Sequence, residues 1–286
     1  MKRKDILLLF LLAAIWGSSY LFLRIVTPVV GAAMTMGVRV VLAAIIMLVL
    51  FGYLNKFPEY KTHWKQYFIL GILNLIIPFS LISYSIAHLN ASIGAILNAT
   101  TPLFTMILSS LWLKEKMSIR KVTGLFFGLT GLTILVGWIP FELTGEVITS
   151  IICSLLASLS YGLGAVYTKT YLRGAEPLKT ATGQTTAAAV LVIPFIHSPS
   201  SPEAFSLTII MAVLTLAVLC TAFAYSLYFQ LISSVGSTNA SVVTLLVPVF
   251  SLLWGRIFLH EPLTPAVVIG LLLILGSLRL VLSPAK

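Results

Sequence analysis

Acidic residues are scarce in this sequence. Its 286 residues include eight Asp and Glu together, against 18 Lys and Arg. The one aspartate, Asp5, stands near the N-terminus, and the seven glutamates fall in polar links or at the ends of apolar runs. Proton-driven membrane carriers often rely on carboxylates inside the membrane; no such relay is evident, so facilitated diffusion, exchange and coupling through another group all stay open. The chain also lacks a Gly-x4-Gly-Lys-Ser/Thr loop, which excludes an ATP-driven pump, and it has no His-Glu-x-x-His or Gly-x-Ser-x-Gly motif. With no paired acids, and no nucleophile beside a base, it reads as no enzyme and as needing no cofactor. Its four histidines form no cluster at metal-ligand spacing, so no metal site is expected. The two cysteines, Cys153 and Cys220, lie in apolar runs where a thiol behaves as a small hydrophobe, and they say nothing about redox compartment.

What the chain does have is oil. Hydrophobic residues make up 59% and charged ones 9%, with a mean hydropathy of +1.06, against roughly 45–50% apolar usage in soluble domains. A bilayer core takes about 20 apolar residues per helix. Ten such runs are legible, at 6–26, 32–53, 67–87, 92–113, 121–138, 147–168, 180–197, 207–229, 239–258 and 266–282. The expected fold is thus an all-α integral membrane protein of ten transmembrane helices, with the lipid bilayer as its solvent. The first run has the basic flank of a signal peptide (Lys2, Arg3, Lys4), but its 21 residues exceed a signal-peptide core and no small-residue cleavage site follows, so it reads as a retained span. If the N-terminus is cytoplasmic, 15 of the 18 cations fall in cytoplasmic segments, two (Arg24 and Arg256) outside and one (Arg39) within a span. That bias predicts a multi-pass protein of a cytoplasmic (inner) membrane with both termini inside. The net charge of +10 is therefore positional, and nucleic acid is not an expected partner.

The second half echoes the first. "LLAAIWGSSYLFLR" aligns with "LLASLSYGLGAVYTK", placing Trp16 on Tyr161, Gly17 on Gly162 and Arg24 on Lys169, all 145 apart. Further on the offset is 146: Asn98 on Thr244, Pro102 on Pro248, Glu115 on Glu261, Gly124 on Gly270. Five spans per copy is an odd number, so the copies (1–140 and 147–286) should lie in the membrane with opposite orientation, as in secondary transporters whose site lies between the repeats.

The costly residues point to that site. Pro102 and Pro248 fall mid-helix, and each would leave the carbonyl four residues earlier, of Asn98 and Thr244, without its usual donor. They read as hinges facing a cavity, or as tolerated kinks that aid packing. Arg39, costing roughly 2.5–3.5 kcal/mol at a helix centre, either snorkels to the outer surface or anchors an anion; its repeat counterpart is Gln184. Trp16, Ser19, Tyr20, Asn74, Tyr84, Tyr161 and Tyr228, like Tyr225 and Trp254, suit a cavity or ordinary packing. Glu115 and Glu261, at the ends of the fourth helix of each copy, read as local salt bridges, caps or gate contacts. "GLFFGLTG" (124–131) and the Ser154, Ser158, Gly162 series let helices approach closely, within the chain or in a homodimer.

"WGSSYLFLR" in the first helix, Arg39 in the second, and the paired Ala/Ser-x6-Pro-x12-Glu signatures at Ala95, Pro102, Glu115 and Ser241, Pro248, Glu261 resemble the EamA family of the drug/metabolite transporter superfamily. The resemblance spans nearly the whole chain. It implies an inner-membrane carrier exporting or exchanging amino acids and other small metabolites, with a cavity between the halves and alternating access. It also implies that Trp16, Tyr84, Asn98, Tyr161, Tyr228 and Thr244 surround that cavity. The expectation is a secondary transporter exporting small metabolites such as amino acids. The alternatives are a lipid-linked or nucleotide-sugar carrier of the same superfamily, or a non-transporting membrane subunit.

Overall fold

The computed structural model describes residues 2–53, 57–88, 97–115, 118–136, 144–196, 201–259 and 265–282. In lipid each backbone N–H and C=O must find its partner within the segment, which favours helix, and every regular element among the described residues is helical. The α-helices are α1 (Arg3–Val30), α2 (Ala32–Tyr53), α3 (Tyr60–Gly71), α4 (Ile77–His88), α5 (Thr101–Leu113), α6 (Ile119–Val136), α7 (Gly145–Tyr171), α8 (Pro177–Val192), α9 (Leu207–Ala217), α10 (Ala224–Val235), α11 (Ser237–Ser241), α12 (Val243–Leu259) and α13 (Pro265–Leu282). Among the described residues, six stretches are long and apolar enough to cross a membrane: Arg3–Val30, Ala32–Tyr53, Tyr60–Ser85, Gly145–Tyr171, Leu207–Val235 and Ser237–Phe258. Thr101–Leu113 and Val268–Ser277 are shorter apolar helices.

Local chemistry sets the ends. Lys2 N–H donates to the Asp5 carboxylate at 3.2 Å as α1 begins, and Thr144 Oγ1 accepts from Val147 N–H at 3.3 Å as α7 begins. α1 stops at Gly31, whose φ of 84° is open to glycine at little cost, so α2 starts one residue later. The third helix starts at Tyr60, seven residues before the expected 67, because "YKTHW" adds a short turn at the polar boundary, kinked at His63 (φ −120°, ψ 17°). The seventh ends early: α8 closes in a 3-10 turn at Ile193–Phe195, where Pro194 cannot continue the ladder.

Two interruptions were not expected. A π-helical turn at Ile72–Ile76 joins α3 to α4, and another at Val218–Phe223 joins α9 to α10, their first residues 146 apart. The expected symmetric kinks at the prolines take a different form. The helix breaks ahead of Pro102, at Ala99 and Thr100, so that Pro102 sits in the first turn of α5, where its missing N–H costs nothing. In the other half the break is at Val242, and Pro248 lies inside continuous α12.

Helices from the first half of the chain pack on helices from the second. α1 lies on α12, α4 on α7, α2 and α3 on α8, and α6 on α13, while α5 also lies on α7. Glycine permits the closest approaches. A Cβ on Gly17 would stand 2.6 Å from Phe250 Cβ and 2.9 Å from Ser251 N, and one on Gly162 3.0 Å from Thr105 N and 3.2 Å from Phe104 Cβ. Those contacted residues are again 146 apart. Gly128 and Gly131 of the Gly-xxx-Gly stretch face Ser277 and Leu273 of α13, so those small residues serve packing within the chain. Large apolar side chains such as Leu7, Val49, Leu111 and Leu207 point outward, as a lipid-facing surface requires.

Candidate functional site

Between the halves lies a cavity of about 840 Å3, counted out to its open mouth. α1 contributes Trp16, Ser19, Tyr20 and Leu23; α2, Met36 and Arg39; α4, Phe79, Ile82 and Ser83. Asn98, Thr101, Tyr161, Tyr225, Tyr228, Thr244 and Val247 complete the wall. Leu23, Met36, Ile82 and Ser83 are half-buried, whereas Tyr225, Tyr228, Thr244 and Val247 are buried, so the mouth lies toward the end of α1 and the floor toward α10 and α12. Tyr228 and Tyr225 stack around Trp16 at the floor, with ring centroids 5.2 and 5.8 Å from the indole.

Arg39 does not snorkel. It is buried, Nε donates to Thr221 Oγ1 at 2.6 Å, and Nη2 donates to the Cys220 carbonyl at 3.0 Å. Phe79 covers the guanidinium at 4.4 Å from its ring centroid. Both acceptors belong to the second π turn, where the widened helix presents backbone and hydroxyl oxygens sideways. Hydrogen bonds to a charged group contribute about 1.5–3 kcal/mol each. Two of them offset part of the several kcal/mol that dehydrating an ion costs. The cation therefore retains a demand for negative charge, and it faces the cavity.

Asn98 carries a complementary feature. Tyr20 meets its side chain, yet the buried Oδ1 has no partner among the described residues. The Asn98 carbonyl, expected to be left bare by Pro102, instead accepts from Thr101 Oγ1 at 2.7 Å, and Thr244 Oγ1 donates to Ser241 O at 2.8 Å. Hydroxyls thus absorb the backbone cost of the broken helices.

Eight of the ten proposed lining residues share this cavity: Trp16, Ser19, Tyr20, Arg39, Asn98, Tyr161, Tyr228 and Thr244. Asn74 lies behind the wall in the first π turn, where Nδ2 donates to Gln184 Oε1 at 2.9 Å and the Asn74 carbonyl accepts from Tyr225. Tyr84 is 41% exposed and stands outside the lining. Trp254 Nε1 donates to Ala14 O at 2.9 Å, a packing contact. Glu115 pairs with Lys169 of α7, 54 residues away, and not with its sequence neighbour Lys114. Glu261 lies outside the described residues.

Met36, Phe79, Ile82 and Ser83 were not singled out in the sequence. Phe79 and Ser83 are four apart on one helical face, and Tyr225 lies three residues before Tyr228; that spacing is a usable signal, but in an apolar helix it reads equally as packing.

Residues 3–137 and 148–283 each match the model of the EamA-like transporter family. The uncharacterized transporter YoaV of Bacillus subtilis is 26% identical over 263 residues, covering 91% of this chain and 90% of its own. The protein PecM of Dickeya dadantii is 25% identical, over 98% of this chain and 92% of its own. A solved crystal structure of another protein shares the fold at a TM-score of 0.76, covering 99% of this chain and 97% of that one, at 16% identity.

Proposed function

The chain belongs to the EamA-like transporter family, and from that premise we propose that this multi-pass membrane transporter carries a small metabolite bearing a carboxylate, an amino acid or a close relative, outward across the cytoplasmic membrane by alternating access. Its family and relatives are transporters, not enzymes. The observation that carries the substrate reading is the pairing of one buried cation with one buried, unpartnered acceptor in a single cavity. Arg39 offers charge to a carboxylate, Asn98 Oδ1 offers a lone pair to an ammonium or amide N–H, and no Asp or Glu lines the cavity among the described residues. Trp16, Tyr225 and Tyr228 supply an apolar floor for the remainder of the molecule.

The architectural part of the proposal is ten spans in two inverted five-helix halves, 1–140 and 147–286. The double family match, the π turns 146 residues apart and the paired glycine contacts of Gly17 and Gly162 support it. The cation bias supports cytoplasmic termini. Pro102 and the break at Val242 would let α5 and α12 bend in turn.

Purified protein in liposomes loaded with labelled amino acids tests the reading. Saturable efflux that Arg39→Gln lowers about tenfold or more is the expected result. Saturable flux of organic anions or nucleotides alone would move the substrate class elsewhere, and no saturable flux with any of these would remove the carrier reading.

A further inference from the structure

A second pocket, about 960 Å3 counted out to its opening, lies between the end of α7, the α7–α8 link and the end of α10. It is at the opposite end of the bundle from the mouth of the central cavity. Ser234 Oγ donates to Asp5 at 2.8 Å, which puts the end of α10 beside the first turn of α1. The central mouth is at Leu23, roughly 27 Å further along α1 at 1.5 Å per residue. Two of the lining side chains are cationic, Lys169 and Arg173, and among the described lining residues none is acidic.

Lys169 has a competitor for its charge. Its ammonium is held by Glu115, just past the end of α5, both side chains being 35% exposed. Glu115 is aimed there by Lys114, whose left-handed backbone (φ 54°, ψ 31°) ends α5. Gly236 leaves room on the other side: a Cβ there would stand 3.5 Å from Lys169 Nζ. The end of α5 also meets α7, where the Trp112 and Tyr171 rings lie edge to face with centroids 6.3 Å apart, and α11 through long hydroxyl contacts, Ser109 with Ser237 at 3.4 Å and Thr238 donating to Ser109 at 3.3 Å. A part-exposed ion pair contributes about 0–1 kcal/mol, so the Lys169–Glu115 contact is easily exchanged for another anion. A carboxylate or phosphate entering the pocket offers Lys169 the same chemistry as Glu115, with Arg173 as a second cation.

We propose that this pocket is a recognition site for the anionic group, carboxylate or phosphate, of the transported compound, and that the group releases the end of α5 by displacing Glu115 from Lys169. The inference rests on the transporter reading and adds a second binding site to it.

The test uses purified full-length protein with one reporter cysteine, Ser109→Cys on a Cys153→Ala, Cys220→Ala background. Ser109 is buried, so maleimide reaches it only when α5 separates. Thr238→Cys is a second reporter, should the first not fold. Benzoate and phenyl phosphate are the probes, benzamide the neutral control, all at one ionic strength. The expected result is a saturable rise in labelling rate of about fivefold or more with an anion and none with benzamide. Lys169→Gln should label fast without anion and lose the response; Glu115→Gln should also label fast, with no further rise on adding anion. A response to benzoate alone assigns a carboxylate, one to phenyl phosphate alone a phosphate. Rates unmoved by both anions, or a response retained in Lys169→Gln, would overturn the proposal. The labelling result does not depend on flux: anion-responsive labelling without transport would sink the carrier reading and keep the site, and transport without that response would do the reverse.

Discussion

The two π turns sit at matching places in the two halves of the chain and are braced in matching ways, but with different chemistry. In one, Arg39 of α2 reaches Cys220 and Thr221 of the turn between α9 and α10. In the other, Gln184 of α8 meets Asn74 of the turn between α3 and α4. Arg39 and Gln184 are 145 residues apart and Asn74 and Cys220 are 146 apart, so these are equivalent braces, one ionic and one neutral. The neutral brace is closed off behind the wall, and the ionic one lies open to the cavity. A shared geometry thus holds both turns, while the charge is spent on one side only, where a ligand can meet it.

The comparison breaks most sharply at Arg39. Arg39→Gln makes the two braces chemically alike; we expect transport to fall about tenfold or more, since a charged hydrogen bond is lost at the ligand. The thermal midpoint should hardly move, because the glutamine amide still offers donors at this position while the cost of dehydrating the cation is removed. A parallel loss of folded protein would make the arginine structural only. The next effect falls on the neutral brace: a Cβ on Gly164 would stand 2.0 Å from Asn74 Oδ1. Gly164→Ala should therefore destabilise by roughly 1–3 kcal/mol of overpacking, read as an earlier thermal transition; an unchanged transition would show that the Asn74 side chain can swing away. Tyr225→Phe removes the bond to the Asn74 carbonyl and should cost about 0.5–1.5 kcal/mol, with a smaller shift in the same measurement. The smallest effect is expected where α3 meets α8 at the surface, between Glu59 and Lys179 at 2.8 Å. Hydrogen bonding to Lys179 holds the Glu59 carboxyl below its ordinary value of 4.5. Its contribution is present above that value and fades as pH falls through the lower folded one. Parent and Glu59→Gln midpoints should then differ slightly at pH 7 and converge in acid; a constant difference would mean that the pair contributes no pH dependence.

Much of this was written in the sequence, because lipid makes polar groups expensive. Arg39, Asn98 and Thr244 stand out in apolar runs, and the 145–146 offset marks which to compare. The π turns were not legible: "ILNLI" and "VLCTAF" have the composition of ordinary apolar helix, and nothing in them announces an extra residue per turn. Asn74 was misplaced for that reason, since the widened turn carries its side chain behind the wall. Phe79 and Met36 were missed because an apolar side chain on a cavity looks the same in sequence as one facing lipid. Glu115 illustrates a third limit, as its partner Lys169 is brought near only by the packing of α5 on α7.

The interleaved packing has a consequence for how the molecule is made. α1 lies on α12, and the residues that meet Gly17 are Val247, Phe250 and Ser251. At a synthesis rate of about 5–20 residues per second, α1 waits roughly ten to fifty seconds for that surface to be translated. During that interval the glycine notch at Gly17 faces lipid or a chaperone. A ribosome that stalls between α7 and α12 would leave a membrane-inserted first half without its partners, so translation tempo through the second half should govern how much of this protein escapes quality control.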